Sequence, residues 1–296
     1  MSQSTIAIAT TPTVPTPRGR VRLFRAARRR PLLITGLVIV LAWIAVAALA
    51  DLIAPYDPLS QAFVPLTPPS PEHLFGTDNL GRDTLSRVIH GSRISVTLSF
   101  ALVGASMLIG GTIGLISGFF GGWVDELLMR IVDLFFAFPV IILAMAVAAS
   151  LGANLQNSVL AGVVVSWPMY ARTVRGLVVG LRESEFVQAS RLAGVSSPRS
   201  IAVDIIPSIA GPTFVLATQE LGSAILLLSG LSFLGLGAQP PLPEWGATIA
   251  AGTTYFAAWW IAVFPGLAIM SLAFAANLLG DGLRDAFDPR SGRSGR

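Results

Sequence analysis

Long uncharged apolar tracts separated by short charged segments make up most of this chain. Leu32 to Ala50 gives 19 residues without a charge, and Ile94 to Val124 gives 31. A hydrocarbon layer of about 30 Å takes about 20 helical residues to cross, so either tract is long enough. A third tract, Leu134 to Ala171, has room for two crossings, and the Gly152 to Asn157 stretch predicts the turn between them. Ile209 to Leu236 and Tyr255 to Leu279 supply the last two. The pattern predicts an all-α integral membrane protein of six transmembrane helices. The first tract ends in Ala48-Leu49-Ala50, which resembles a signal-peptide cleavage site. It is nevertheless longer than a signal core of about 7 to 15 residues and follows a long basic tail, so it reads as a retained span.

One polar island between two apolar tracts is unusually well organised: Glu185 to Pro207, EFVQASRLAGVSSPRSIAVDIIP. Ser184 is placed to cap a first helix with Glu185 in its first turn. Gly194 supplies a left-handed stop, and Ser197 followed by Pro198 caps and starts a second helix. A loop that only joined two spans would not need this punctuation, so the island reads as a docking surface.

Charge then fixes direction. All 20 basic residues are arginine, and short cytoplasmic loops carry the excess of positive charge. Seven precede the first tract (Arg18, Arg20, Arg22, Arg25, Arg28, Arg29, Arg30), five lie between Arg172 and Arg199, four follow Asp281, and Arg130 ends the short loop after the second span. With both termini in the cytoplasm, 17 arginines fall inside and three (Arg82, Arg87, Arg93) outside. The island is then cytoplasmic. The net charge of +4 does not point to nucleic acid, because the arginines flank spans instead of forming one basic face. The resulting organisation is a disordered basic tail over 1–30, a first span over 31–50 and an extracytoplasmic proline-rich segment over 51–93. A five-helix core over 94–280 contains the cytoplasmic loop 181–207, and a cytoplasmic tail covers 281–296. Within 51–93, Asn79 to His90 reads either as an interfacial helix capped by Thr77 or Asp78, or as an extension of the second span.

Residue inventory excludes most catalysis. Without lysine there is no phosphate-binding P-loop lysine and no Schiff base, and without cysteine no disulfide, thiolate nucleophile or sulfur-ligated zinc. Imidazole chemistry is limited to His73 and His90. Asp78, Asn79 and Asp83 lack the alternating spacing and terminal glutamate of a calcium loop, so capping and turn roles fit them better. Inside the spans, Glu220 is the notable ionisable group, read either as a pathway residue or as a structural helix-to-helix bond. Gln219, Asn157 and Ser166 are weaker polar candidates. Gly104, Gly110, Gly111, Gly114, Gly118, Gly121 and Gly122 give close-packing faces along the second span, and Glu126 with Arg130 forms an i, i+4 pair. Gly237 to Trp245 reads as an outer turn ending in an interfacial tryptophan.

The island resembles the loop of ABC-importer permeases, written Glu-Ala-Ala, then a glycine, then Ile-x-Leu-Pro. Here these stand as Gln188-Ala189-Ser190, Gly194 and Asp204-Ile205-Ile206-Pro207. Gly76 to Ser95, Phe120 to Asp133, Leu231 to Gly246 and Asn277 to Arg290 are similar to signature stretches of the second permease subunit of dipeptide and oligopeptide importers. The resemblance implies a type I importer permease fold that pairs with a second homologous permease subunit in the lipid bilayer. It also implies two ATPase subunits binding ATP and magnesium, an extracytoplasmic binding protein that delivers peptide, and no cofactor, metal or catalytic residue in this chain. Glu185, Gln188, Ala189, Ser190, Arg191, Gly194 and Pro207 would form the surface coupled to the ATPases, and Glu220 and Gln219 would be pathway candidates. Gln188 stands where an acid is usual, so Glu185, three residues earlier, becomes the alternative contact. Asp204 stands where isoleucine is usual. Nickel chelates or glutathione are alternative cargoes for the same architecture. A secondary transporter predicts ionisable residues in several spans, and only Glu220 qualifies. An intramembrane enzyme would need a paired nucleophile and base, which are missing.

Overall fold

The structure, a computed structural model, describes residues 31–287, so the basic tail and the last nine residues of the carboxy-terminal tail lie outside the described residues. Regular structure among the described residues is helical apart from one isolated bridge, Thr77 to Asp83. The long elements are α1 (Pro31–Ala48), α3 (Thr84–Phe120), α6 (Leu155–Arg182), α9 (Ile206–Phe233) and α11 (Trp260–Phe287). Shorter ones are α2 (Ala50–Ile53), α4 (Gly122–Phe136), α5 (Val140–Leu151), α7 (Glu185–Leu192), α8 (Ser197–Ser200) and α10 (Trp245–Thr253). Four helical stretches are long and apolar enough to cross a membrane, and five if the bent pair α4 and α5 is one crossing.

The third apolar tract departs from expectation. Its first half is not a straight span: α4 and α5 meet at 90°. Pro139 causes the break, because it has no N–H to continue a ladder and disfavours helical geometry in the residue before it. The 12 residues of α5 reach only about 18 Å. The turn predicted at Gly152 to Asn157 is present. Gly152 has φ of 93°, Asn154 caps α6 by accepting from Asn157 N, and the Asn157 side chain donates to the Leu151 and Gly152 carbonyls at 2.7 and 2.9 Å. Asn157 therefore closes a turn and does not bridge helices.

α3 and α6 form the most extensive helix pair. Their contact is built on every fourth residue of α3: a Cβ on Gly110 would meet the Trp167 carbonyl at 2.1 Å, one on Gly114 the Ala171 carbonyl at 2.4 Å, and one on Gly118 Val178 at 2.8 Å. Gly104 and Gly111 face open space, and Gly121 and Gly122 instead form the positive-φ turn into α4. Four of the seven glycines named from sequence are thus not at this interface. The predicted Glu126–Arg130 pair does not form among the described residues. Arg175 binds Asp125 with contacts of 2.6 and 2.9 Å, and Arg172 binds Asp133, so the charges fasten α4 to α6 instead.

The proline-rich segment is ordered by packing. Thr77 Oγ1 donates to the Val64 carbonyl at 2.7 Å and accepts from Thr67 N at 2.9 Å, while Phe75 stacks on Phe264. The helix proposed over Asn79 to His90 begins only at Thr84 and runs unbroken into the span, so the extension reading holds and the interfacial-helix reading does not. Its cap is Asp83, which accepts from Ser86 N at 2.8 Å and contacts His73 Nδ1 at 3.0 Å. Asp78 accepts from Arg82 Nε at 2.6 Å. Trp245 is another correction: it is fully buried, donates from Nε1 to the Val88 carbonyl at 2.9 Å and meets Trp43 edge-on. Gly91 makes room for it, since a Cβ there would lie 2.7 Å from the indole. Beside it Glu244 caps α10, a helix the apolar pattern does not announce, by accepting from Ala247 N at 2.9 Å. Burial pushes the Glu244 carboxyl up, against the pull of the Gly246 and Ala247 N–H groups.

Candidate functional site

The polar island folds as a helix, a stop and a second helix that merges into a span. α6 ends at Arg182, whose guanidinium donates to the Phe119 carbonyl at 3.3 Å and ties the ends of α3 and α6 together. Ser184 sits at the start of α7, but its hydroxyl donates back to the Leu181 carbonyl. It therefore closes α6 and leaves α7 without the expected side-chain cap. Gly194 has φ of 80° with open space around it, so the backbone conformation alone asks for glycine there. Val195 N bonds to the Ser190 carbonyl at 3.2 Å, the six-to-one bond of a left-handed helix stop, while Ala193 N keeps the ordinary helical bond to the Ala189 carbonyl at 2.9 Å. The second cap shifts by one residue: Ser196 takes the cap position, and Ser197 and Pro198 open α8.

α8 then passes through a π-helical turn, Ile201–Ile205, into α9. Such a turn carries one extra residue and often marks a mechanically special point. Ile205 and Val187 are fully buried, and Ile205 packs with Phe119, Val174, Val178 and Ile209. The Ser190 hydroxyl donates to Asp204 Oδ2 at 3.0 Å, linking α7 to this turn. The loop is thus clamped at its inner side and free outside.

The free side presents Glu185, Phe186, Gln188, Ala189, Leu192, Ala193 and Gly194, and Pro207 is exposed at the start of α9. The Arg191 side chain lies outside the described residues. Gln188 is exposed, yet its amide Nε2 donates to the Glu183 carbonyl at 3.0 Å, so it turns back toward α6. Sequence reading missed two members of this surface, Phe186 and Leu192, with exposures of 50% and 90%. Their signal was available: apolar residues six apart on a short polar helix whose buried anchor, Val187, already satisfies the core.

A second feature lies deeper. Glu220, midway along α9, lines a cavity of about 300 Å³ together with Ser166 and Tyr170 of α6 and Ser223, one turn on. Leu102, Val140 and Leu227 supply apolar wall. Gln219 points elsewhere: its Nε2 donates to Asp281 Oδ1 at 3.2 Å on α11, so the two adjacent candidates serve different faces. At the opposite end from the loop, Asp51 meets Arg93 at 3.1 Å and His90 at 3.2 Å. The Arg93 guanidinium holds the Asp51 carboxyl below the usual range, with His90 adding to it.

A protein-family model described as "Binding-protein-dependent transport system inner membrane component" matches residues 110–293. The chain is 40% identical over 274 residues to the dipeptide transport system permease protein of Alkalihalophilus pseudofirmus, covering 90% of this chain and 88% of that one. It is 44% identical over 264 residues to the di/tripeptide transport system permease protein of Pseudomonas aeruginosa, covering 86% and 87%. Against the glutathione transport system permease protein of Pectobacterium atrosepticum it is 39% identical over 276 residues, covering 90% of each.

Proposed function

We propose, since this chain belongs to the family of binding-protein-dependent transport system inner membrane components, that it is one permease subunit of an ATP-driven importer of di- or oligopeptides in the cell membrane. The observation that carries this reading is near full-length similarity to permeases named for peptide transport, together with a loop built for docking at one end of the bundle. In this reading the chain crosses the bilayer six times, by α1, α3, the α4–α5 pair, α6, α9 and α11, with both termini in the cytoplasm. α6 counts as the sixth crossing: its 28 residues reach about 42 Å, and its arginines lie at the loop end.

A second homologous permease completes the pathway, two ATPases bind ATP and magnesium, and an extracytoplasmic binding protein delivers the cargo. The exposed face of α7, with Glu185, Ala189 and the apolar pair Phe186 and Leu192, enters a cleft on an ATPase. Ser190 and Gly194 hold that face in shape, and Gln188 braces it against α6. Motion passes to the spans because α7, the π-helical turn and α9 are joined through packed and hydrogen-bonded groups that shift as bodies.

Reconstituting the chain with its transporter partners tests the reading. Expected are ATP-dependent uptake of a labelled dipeptide and uncoupling by Gly194→Val, which forces a β-branched residue into left-handed backbone at about 1 to 2 kcal/mol. ATP hydrolysis persists in that variant while uptake falls. A purified complex without an ATPase, or uptake indifferent to Gly194, would sink the proposal. Glutathione is the second reading, favoured by the similarity to a glutathione permease, and the same vesicles decide it by competition.

A further inference from the structure

We propose that Glu220 and Tyr170 form the polar end of a site for a primary ammonium group, the amino terminus of a peptide in transit. The proposal deepens the peptide-importer reading and rests on it for the identity of the ligand, though not for the chemistry of the site.

Three observations converge. Glu220 is a carboxylate about fourteen residues into a helix of 28, where hydration is poor, and it forms no ion pair among the described residues. The residues lining its cavity include neither arginine nor histidine. An ionised carboxylate left alone in such a place is costly, so it either takes a proton or receives a cation from outside. Tyr170 is the second observation. It is 1% exposed, it lines the same cavity, and its hydroxyl has no hydrogen-bond partner among the described residues. Buried polar atoms are normally paired, so an orphan hydroxyl on a residue of the cavity wall is a group whose bonding a ligand can complete once the wall yields to it. It is also within electrostatic reach of Glu220.

The third observation is the rest of the lining. Ser166 and Ser223 add neutral oxygens, while Leu102, Val140 and Leu227 supply apolar wall. An ammonium offers three N–H donors and no acceptor, which suits one carboxylate and several hydroxyl oxygens. The apolar wall suits the carbon skeleton carried with it. A small inorganic cation would have to shed its water against that wall, so the lining favours an organic ammonium. The site helps cargo through a low-dielectric passage by offsetting part of the desolvation of its charge, and does so weakly enough for release.

Reaction of Glu220 with a hydrophobic carbodiimide tests this in the complete transporter, read by peptide mass mapping. The probes are a dipeptide with a free amino terminus and neutral side chains, its N-acetylated form, and an N-acetylated peptide carrying a lysine side chain. At about ten times its dissociation constant the free dipeptide protects Glu220 about tenfold. The N-acetylated form leaves the rate unchanged. Protection by the lysine peptide identifies any primary ammonium as the ligand; its absence restricts the site to the amino terminus, and either supports the proposal. Tyr170→Phe keeps the packing and weakens binding about fivefold, the loss of one hydrogen bond, so protection at the same dipeptide concentration falls to about threefold. In vesicles Glu220→Gln slows uptake of the free dipeptide severalfold with the assembled complex intact. Equal protection by free and N-acetylated dipeptides, or none by either, overturns the proposal, as does loss of assembly in Glu220→Gln. If protection occurs but the wild-type vesicles take up no peptide, the ammonium site stands and the peptide-importer reading falls.

Discussion

Ser190 and Asp204 are two positions at which this chain departs from the loop pattern it resembles, and their side chains meet at 3.0 Å. Where alanine and isoleucine are usual the contact would be apolar; here a hydroxyl donates to a carboxylate. The pair replaces one link between the loop helices by another of different chemistry. Asp204 is half-buried beside Ile205, so removing its donor costs more than removing both partners together. Ser190→Ala is expected to destabilise the loop by about 1.5 to 2 kcal/mol, seen as faster amide exchange over residues 185–195 in the assembled transporter. The double change S190A/D204I should recover most of that loss, giving a coupling energy of about 1 kcal/mol or more in a double-mutant cycle. Additive effects would show that the two departures are independent.

Among the elements, the helix pair α3 and α6 carries the close packing of the bundle. Its glycines separate cleanly into those with a helix against them and those without. Gly114→Leu would drive its side chain into the Ala171 carbonyl and the Arg175 backbone, so the expected result is loss of a detergent-stable fold. Gly111→Ala, three residues away and facing open space, should fold normally or gain a few tenths of a kcal/mol from helix propensity. Thermal scattering of the purified variants checks both. The same pair shows how far the chain could be read in advance. The repeat of small residues announced that α3 packs closely, but not which glycines take part, because that depends on the rotation of α3 about its axis. The long helices α1, α3, α9 and α11 were legible because each holds an apolar run long enough to cross a hydrocarbon layer, interrupted in α9 only by Glu220. The 90° bend between α4 and α5 and the short helix α10 were not. A proline inside a long apolar run can kink or break, and α10 is shorter than a span. Gly194 was legible through its backbone conformation. The roles of Ser184 and Gln188 were not, since Ser184 turns back to the Leu181 carbonyl of α6 and Gln188 to the Glu183 carbonyl just past its end.

For the whole molecule, the proposed six-span orientation rests on the placement of the arginines. The three counted on the outer side are all engaged: Arg82 with Asp78, Arg93 with Asp51, and Arg87 with the Pro58 and Pro241 carbonyls at 3.3 and 3.5 Å. Asp78 pairs with Arg87 as well as Arg82, at 3.6 Å, so all three outer arginines sit in ion pairs within their own segment. At the other end α4 is fastened across α6 by Asp125–Arg175 and Asp133–Arg172, with Trp123, Leu127, Ile131 and Leu134 exposed as an apolar stripe. That stripe suits a helix lying along the inner interface before α5 rises from it. In the six-span reading the turn at Gly152 to Asn154 faces outward, although α5 alone is too short to cross. The chain contains no cysteine, so a single introduced thiol reports its side without background. Gln61→Cys and Ala153→Cys should react with a membrane-impermeant maleimide in intact cells, and Ala193→Cys only after permeabilisation. All three sites are exposed, and none belongs to a packed core. Ala153 is the decisive one. Reaction there only after permeabilisation would mean that the α4–α5 pair dips into the inner leaflet and returns, which leaves both ends of α6 on the side of its arginines and so removes two crossings, leaving the four long apolar helices.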